Sequence, residues 1–576
     1  MLKILGKLRR YWLQLLLLAA VTLAGVYTDL YLPTLMARII NQGVSTRDYG
    51  FIFRTGGKMV FFAFVGILCV IAGSALGSRV SMGYGRDLRG AMFRKTAALS
   101  LTEFDSFGTA TLITRTTNDI SQLQMFVMMA FRILIRAPLM IVGGITMALG
   151  SSAELSRVVL LSVPTLIAIV AVVSCLALPL STTIQKSVDR VNLILREKLT
   201  GLRVERAFGT EQYEEERFDK ANRDLTAVSI RMHRTMGVMM PGITLLMSCT
   251  QIFLVWSGAV QIDAGDLLVG DMMAVIQYVM QIMMSFMMFS MIFVMMPRAI
   301  ASGRRLQAVL DAPESVADPE TPARETGLRG TVEFRDVSLT YQGAEKPVLE
   351  GISFTARPGE TTAIIGSTGS GKSTLVNLIP RFFDATGGQV LVDGVDVREM
   401  TQRQLRDKIG FVPQKALLFR GTIRENIAYG KADADDQELL AAAKTAQALD
   451  FIQEKPGGLD SPVAQLGQNF SGGQKQRLSI ARALVRRPEI YIFDDSFSAL
   501  DARTDAALRA ALKETVGEAT VLIVAQKVST IMDADRILVL DGGGCVGMGT
   551  HRELLESCPV YQEIVYSQMS AEEVAG

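Results

Sequence analysis

The 576-residue sequence reads as an α-helical transmembrane domain of six spans followed by an α/β domain built around a phosphate loop. Six long apolar stretches fill residues 1–310, a proline-rich acidic segment breaks the composition at 311–330, and short strand-like and helix-like runs alternate over 331–576. Apolar residues make up 49% of the chain, charged ones 20%, and the mean hydropathy is +0.29, which is high for a soluble protein of this length. The formal net charge is +2 with basic residues scattered, so no polyanionic partner such as nucleic acid is expected. Five cysteines are present; Cys69, Cys175 and Cys249 lie in apolar runs and Cys545 and Cys558 far downstream, which is neither a disulfide framework nor a zinc pattern. The basic opening MLKILGKLRR resembles a secretion signal, but no small-residue cleavage site follows, so an uncleaved first span is expected.

The apolar stretches lie near 13–35, 57–80, 124–149, 157–180, 237–260 and 272–296. Each reaches the roughly 20 residues that a helix needs to cross a bilayer. The connections after the second and fourth stretches, Arg86 through Asp119 and Lys186 through Arg234, are long and charged. Those after the third and fifth, near Gly150–Ser156 and Gln261–Asp271, are short. Lys3, Lys7, Arg9 and Arg10 precede the first stretch, and the positive-inside rule puts both termini and both long connections in the cytoplasm. Arg47, Arg54 and Lys58 in the first outer loop weaken that bias without reversing it. The segment DAPESVADPETPARETGLRG reads as a linker. Beyond it VEFRDVSLTY, TTAIIG, QVLVDG, IGFVPQ, IYIFDD and TVLIVA are strand-like, with Ala/Leu/Arg-rich helical runs between them.

Gly366, Ser367, Thr368, Gly369, Ser370, Gly371, Lys372 and Ser373 follow one of those strands and precede a helix-like run that starts at Thr374. This is the phosphate-loop pattern in its required context: glycines let backbone N–H groups curl toward phosphate oxygens at a helix N-terminus. Lys372 is expected to reach the outer phosphates and Ser373 to offer its hydroxyl to Mg²⁺. Asp494, at the end of the strand IYIF, is placed to hold the magnesium shell. Gln414, after the strand IGFVP, is a candidate for Mg²⁺ or the attacking water, and Tyr341 for stacking on adenine. Ser471, Gly472, Gly473 and Gln474 open a strongly helical run, an anion site in the making.

A phosphate loop paired with an SGGQ segment just upstream of the magnesium aspartate resembles the ATP-binding cassette (ABC) proteins, and Ser498-Ala-Leu-Asp501 matches that family's inter-subunit loop. Six spans followed by one cassette resemble an ABC exporter half-transporter, and the likeness runs through LTEFDSFGTATLITRTTND (101–119) to THRELLESCPVYQEI (550–564). The resemblance implies two cassettes that dimerise head to tail around two ATP molecules with Mg²⁺. Each site would join one chain's phosphate loop to the other's signature segment. It also implies coupling elements in the two long connections, the second, around Phe208–Phe218, reaching the partner's cassette.

Two positions depart from the family pattern. Asp495 stands where the base is normally glutamate, and Gln526 where a histidine is normal. Aspartate is one methylene shorter, so its carboxylate falls about 1.5 Å short, and a displacement near 1 Å can cost about a hundredfold in rate. Glutamine can hydrogen-bond a phosphate oxygen but carries neither proton nor positive charge. In PVAQLGQN, upstream of the signature segment, Ala464, Gln465 and Leu466 also differ from the usual run. The pattern resembles the degenerate-site subunit of bacterial heterodimeric ABC multidrug exporters. It implies a non-identical partner with an intact Glu/His site, a place among the lipids of the bacterial inner membrane with the cassette in the cytoplasm, and a hydrophobic or amphipathic substrate. Export of a lipid, a peptide or a metal-chelator complex, an exporter-shaped importer, and a nucleotide-gated channel are the alternatives.

Within the spans, Met280, Met283, Met284, Met287, Met288, Met291, Met295 and Met296 recur at helical spacing on the sixth stretch, as either a cavity lining or packing. Arg132 and Arg136, one turn apart on the third, are expensive in lipid and should face protein, water or headgroups; Asp29 on the first is a similar case.

Overall fold

The computed structural model describes residues 2–324, 326–341 and 343–569. The chain forms two compact units. One comprises the residues up to Thr96 together with Ala110–Asp311, and the other comprises Ala97–Thr109 together with the chain from Ala312 onward.

Among the described residues six helices, lying almost wholly in the first unit, are long and apolar enough to cross a membrane: Lys3–Val44, Tyr49–Ala98, Thr109–Ser151, Ala153–Phe208, Glu211–Asp263 and Val269–Leu310. They match the six stretches expected from hydropathy, and each is longer than its apolar part. A 56-residue helix such as the fourth is about 84 Å long, whereas the hydrocarbon core is about 30 Å thick. The charged connections after the second and fourth spans are therefore mostly continuous helix rather than loop. The turn between the fourth and fifth is only Gly209, in the left-handed region at φ 62°, and Thr210.

Several polar groups inside this unit are paired across helices. The Arg136 guanidinium donates to the Asp29 carboxylate at 2.8 Å, so two of the three costly charges singled out on the third and first spans pair with each other. Gln281 on the sixth span donates to the Asp29 carbonyl at 3.4 Å. Near its start the third span widens into a π-turn, Arg115–Asp119, whose Asp119 is 3% exposed. Its carboxylate accepts from the Ser302 hydroxyl at 2.9 Å and from Nε of Arg305 at 2.8 Å, both on the sixth span. The methionine stripe divides: Met283 is buried at 1% exposure, whereas Met284, Met288 and Met291 are exposed.

The second unit contains two main sheets. The first is antiparallel, in the order β2-β1-β4-β5, from β1 (Val332–Leu339), β2 (Leu349–Ala356), β4 (Gly387–Val392) and β5 (Val395–Asp396). The second contains β3 (Thr361–Gly366), β6 (Ile409–Val412), β9 (Ile490–Asp494), β10 (Thr520–Val524), β11 (Arg536–Asp541) and β12 (Gly544–Gly549), in the order β12-β11-β3-β10-β9-β6. All its pairings are parallel except that of β12 with β11. Its central strands β9 and β10 are buried along their whole length, which is why they read as unbroken apolar runs. Among the described residues a pair of two-residue strands, β7 (Gly421–Thr422) and β8 (Pro462–Val463), forms a third, small sheet. The proline-rich segment carries no helix or strand among its described residues but is packed: Val316 is buried, the Ala323 N–H donates to the Glu399 carbonyl, and the Asp318 carboxylate accepts from the Gln402 N–H.

Candidate ATP site

The parallel sheet delivers its chemistry at the carboxyl ends of neighbouring strands. β3 runs into the phosphate loop, β9 ends at Asp494 and Asp495, β10 leads to Gln526, and β6 to Gln414. These four strands lie side by side in the order β3-β10-β9-β6, so residues up to 160 positions apart converge. Ligands bind at this end of open parallel sheets for that reason.

The loop is shaped for a phosphate. A Cβ on Gly366 would come within 2.1 Å of the Leu540 carbonyl oxygen, so only glycine lets the chain leave β3 here. Gly371 sits at φ 92°, and there a side chain would meet both strain and Leu349. Helix Lys372–Leu378 starts immediately afterwards. Lys372 Nζ donates to the carbonyls of Gly366 at 2.9 Å and Ser367 at 2.7 Å, folded back on its own loop. Burial lowers its pKa, against the pull of Asp495 and Asp494. The Ser370 hydroxyl is buried without a hydrogen-bond partner, a polar atom lacking a ligand at the centre of the loop. The Ser373 hydroxyl donates to Asp494 at 2.9 Å. Burial raises the pKa of Asp494, opposed by that bond. Hydroxyl, carboxylate and the nearby Gln414 amide are the oxygen donors that suit Mg²⁺, and ammonium and loop N–H groups are the partners that suit a triphosphate. The residues present fit MgATP.

Asp495 is 7% exposed and adopts φ 47°. One oxygen of its carboxylate, Oδ2, accepts from two amides, Gln414 Nε2 at 3.1 Å and Gln526 Nε2 at 2.8 Å. The structure thus brings together all three residues assigned to the reacting end. Neither histidine of the chain is there: His233 bonds the Ser229 carbonyl, and His551 bonds the Tyr561 hydroxyl at 2.7 Å. Tyr341 lies just past β1, its hydroxyl 3.1 Å from the Thr374 hydroxyl and its ring edge-on to Phe383.

The signature residues build a helix start. Ser471 caps helix Gly472–Leu484: its hydroxyl accepts from the Gln474 N–H at 3.3 Å, and the Gln474 side chain accepts from the Ser471 N–H at 3.0 Å. The Ser471 hydroxyl proton stays available to an external phosphate. Asp501 caps the helix Ala502–Thr515 through the Thr504 N–H at 3.0 Å, which lowers its pKa.

One contact to this site had no signal in the sequence. At the end of the C-terminal helix Pro559–Gln568, the Gln568 amide donates to the Gln526 carbonyl at 2.8 Å and accepts from the Val528 N–H at 2.9 Å. A glutamine at a helix end has no motif value, and only folding sets it beside residues 40 positions earlier.

Comparison with known proteins agrees with this geometry. Residues 15–286 match the ABC transporter transmembrane region and residues 349–498 match the ABC transporter domain. An uncharacterized ABC transporter ATP-binding protein of Mycobacterium tuberculosis is 43% identical over 99% of this chain and 98% of its own length. An ATP-dependent lipid A-core flippase of Thiobacillus denitrificans is 32% identical over 99% and 98%. The solved structure of a bacterial Atm1-family ABC exporter with ATP bound superposes with a TM-score of 0.78, at 28% identity, covering 98% of this chain and 99% of that one.

Proposed function

The chain belongs to the ABC transporters as an exporter-type half-transporter, and on that premise we propose that it is the degenerate-site subunit of a heterodimer. It works with a non-identical chain that retains the glutamate and histidine. Asp495 carries this reading. Its carboxylate is one methylene short, and one of its oxygens is capped by the amides of Gln414 and Gln526. No imidazole is present to take up charge at the γ-phosphate.

In the proposed cycle Ser373, Asp494 and Gln414 hold Mg²⁺, which supplies charge neutralisation at the phosphates. Lys372 exchanges the carbonyls of Gly366 and Ser367 for phosphate oxygens. Tyr341 faces the base. Asp495 orients water poorly, so hydrolysis here is slow and the bound nucleotide holds the cassettes together. Ser471 and the glycines after it complete the partner's working site. Turnover there resets the membrane helices, which sit in a bacterial inner membrane with the cassette in the cytoplasm, as the basic residues before the first span favour. The cargo is a hydrophobic or amphipathic compound taken up against exposed methionines. Export of a lipid is the second reading, favoured by the likeness to the lipid A-core flippase.

ATPase measurements on the purified chain, alone and co-expressed with its partner, test the proposal. Little turnover alone and restored turnover with the partner are expected. Fast turnover by the isolated chain would overturn it.

A further inference from the structure

The Gln526 side chain donates to Asp495, but its backbone is held from elsewhere. Strand β10 ends at Val524, and the segment that follows turns away from the sheet into the short helical turn Val528–Thr530. Past Ala525, whose N–H still donates to the Ile364 carbonyl of β3, the segment pairs with no strand among the described residues. Gln568 supplies a partner: its side-chain amide donates to the Gln526 carbonyl and accepts from the Val528 N–H, at 2.8 and 2.9 Å, as a neighbouring strand would. The helix that carries Gln568 is anchored by Tyr561 and Val565, both at 0% exposure. Gln568 itself is exposed, so no packing requirement places a glutamine there. A continuous path results, from the C-terminal helix through Gln568 to the Gln526 backbone, and from the Gln526 side chain to Asp495 and Gln414.

We propose that Gln568 is a positioning residue for the ATP site, and that through it the C-terminal helix sets how Gln526 meets the γ-phosphate. The inference rests on the reading that Gln526 faces that phosphate. Glutamine lacks the charge of an imidazolium, so its contribution depends on being held in place. A fixed backbone keeps the amide at hydrogen-bonding distance without the loss of conformational freedom that a loose loop would incur on binding. The cassette would then discriminate ATP from ADP through a contact organised from the far end of the chain.

The test is equilibrium binding of MgATP and MgADP to the full-length protein, with variants Gln568→Ala and Gln568→Glu. The glutamate keeps length and acceptor but loses the donor to the Gln526 carbonyl. A net hydrogen bond corresponds to about a three- to tenfold change in affinity. MgATP binding is expected to weaken by about that factor in both variants, and MgADP binding, with no γ-phosphate to read, to stay unchanged. In a Gln526→Ala background the Gln568→Ala effect on MgATP should vanish, because the path is already cut. Equal weakening of ATP and ADP, or an undiminished Gln568 effect without the Gln526 side chain, would show that Gln568 merely stabilises the domain. Unchanged MgATP binding in both Gln568 variants would overturn the inference. If the unaltered protein binds ATP and ADP alike and Gln526→Ala changes neither, the reading of Gln526 as a γ-phosphate contact fails instead, and the inference with it.

Discussion

His551 shows how one side chain's surroundings decide its role. As one of only two histidines in the chain it invites a catalytic reading, yet it lies on the helix His551–Ser557 with its ring nitrogen on the buried Tyr561 hydroxyl. Burial, and then the Arg552 charge, lower its pKa below the ordinary 6.5. The same burial pushes Tyr561 up to about 12, so the phenol stays neutral. The sign of the pH effect follows. Below 6.5 the unfolded chain binds a proton that the folded chain does not, so stability is complete above that value. It is lost as the pH falls through the lowered folded value. Acidification from pH about 7.5 to about 5.5 should therefore lower the melting temperature of the wild-type cassette more than that of His551→Gln, which has no proton to take up. Equal pH sensitivity in the two proteins would remove His551 as the cause.

Among the elements, the sixth span shows what periodicity leaves open. Eight methionines at helical spacing mark one broad face, but such spacing cannot separate a packed half from a free half. In the structure Met283 lies in a core cluster with Val275, Val279 and Ile282, while Met284, Met288 and Met291 are exposed. Substitutions should separate accordingly. Met283→Ala should destabilise the membrane unit by about 2–5 kcal/mol, read as a loss of thermal stability in detergent. Met288→Ala with Met291→Ala should leave stability nearly unchanged but reorder substrate preference in a transport assay. Leucine replacements, which keep volume and lose adaptability, should reorder it less. Unaltered preferences in a normally expressed double variant would assign the exposed methionines to contact with lipid.

In the proposed heterodimer each ATP site would draw its residues from two cassettes, so on that proposal the asymmetry should be visible in trans. Asp495→Ala damages a site that does little hydrolysis, and turnover of the heterodimer should change little. Ser471→Ala removes a contact to the partner's working site and should lower turnover about ten- to a hundredfold, the equivalent of one charge-assisted hydrogen bond to phosphate. ATPase assays on the purified heterodimer decide between the two. The opposite ranking would mean that the working and degenerate sites have been exchanged.

The spans, the sheet strands carrying the phosphate loop and Asp494, and the signature helix were legible because each depends on local chemistry. Twenty apolar residues have few solutions other than crossing a bilayer, and a glycine loop between a strand and a helix has few other than holding phosphate. Strands β2 and β12 were not read, since edge strands carry weaker patterns, and the interior strand β11 was missed although residues 537–540 form a buried apolar run. Helical patterning was legible past the ends of several spans, but how far it runs into the charged connections, to Ala98 after the second span and Phe208 after the fourth, was decided by the structure. Tertiary structure alone decided the pairings: Arg136 with Asp29, Asp119 with Ser302 and Arg305, Asp495 between two glutamines, and Gln568 on the segment after β10. Composition and spacing record what a residue can do. Which partner it does it with depends on how strands and helices distant in sequence are stacked, and that is settled by burial of the whole core.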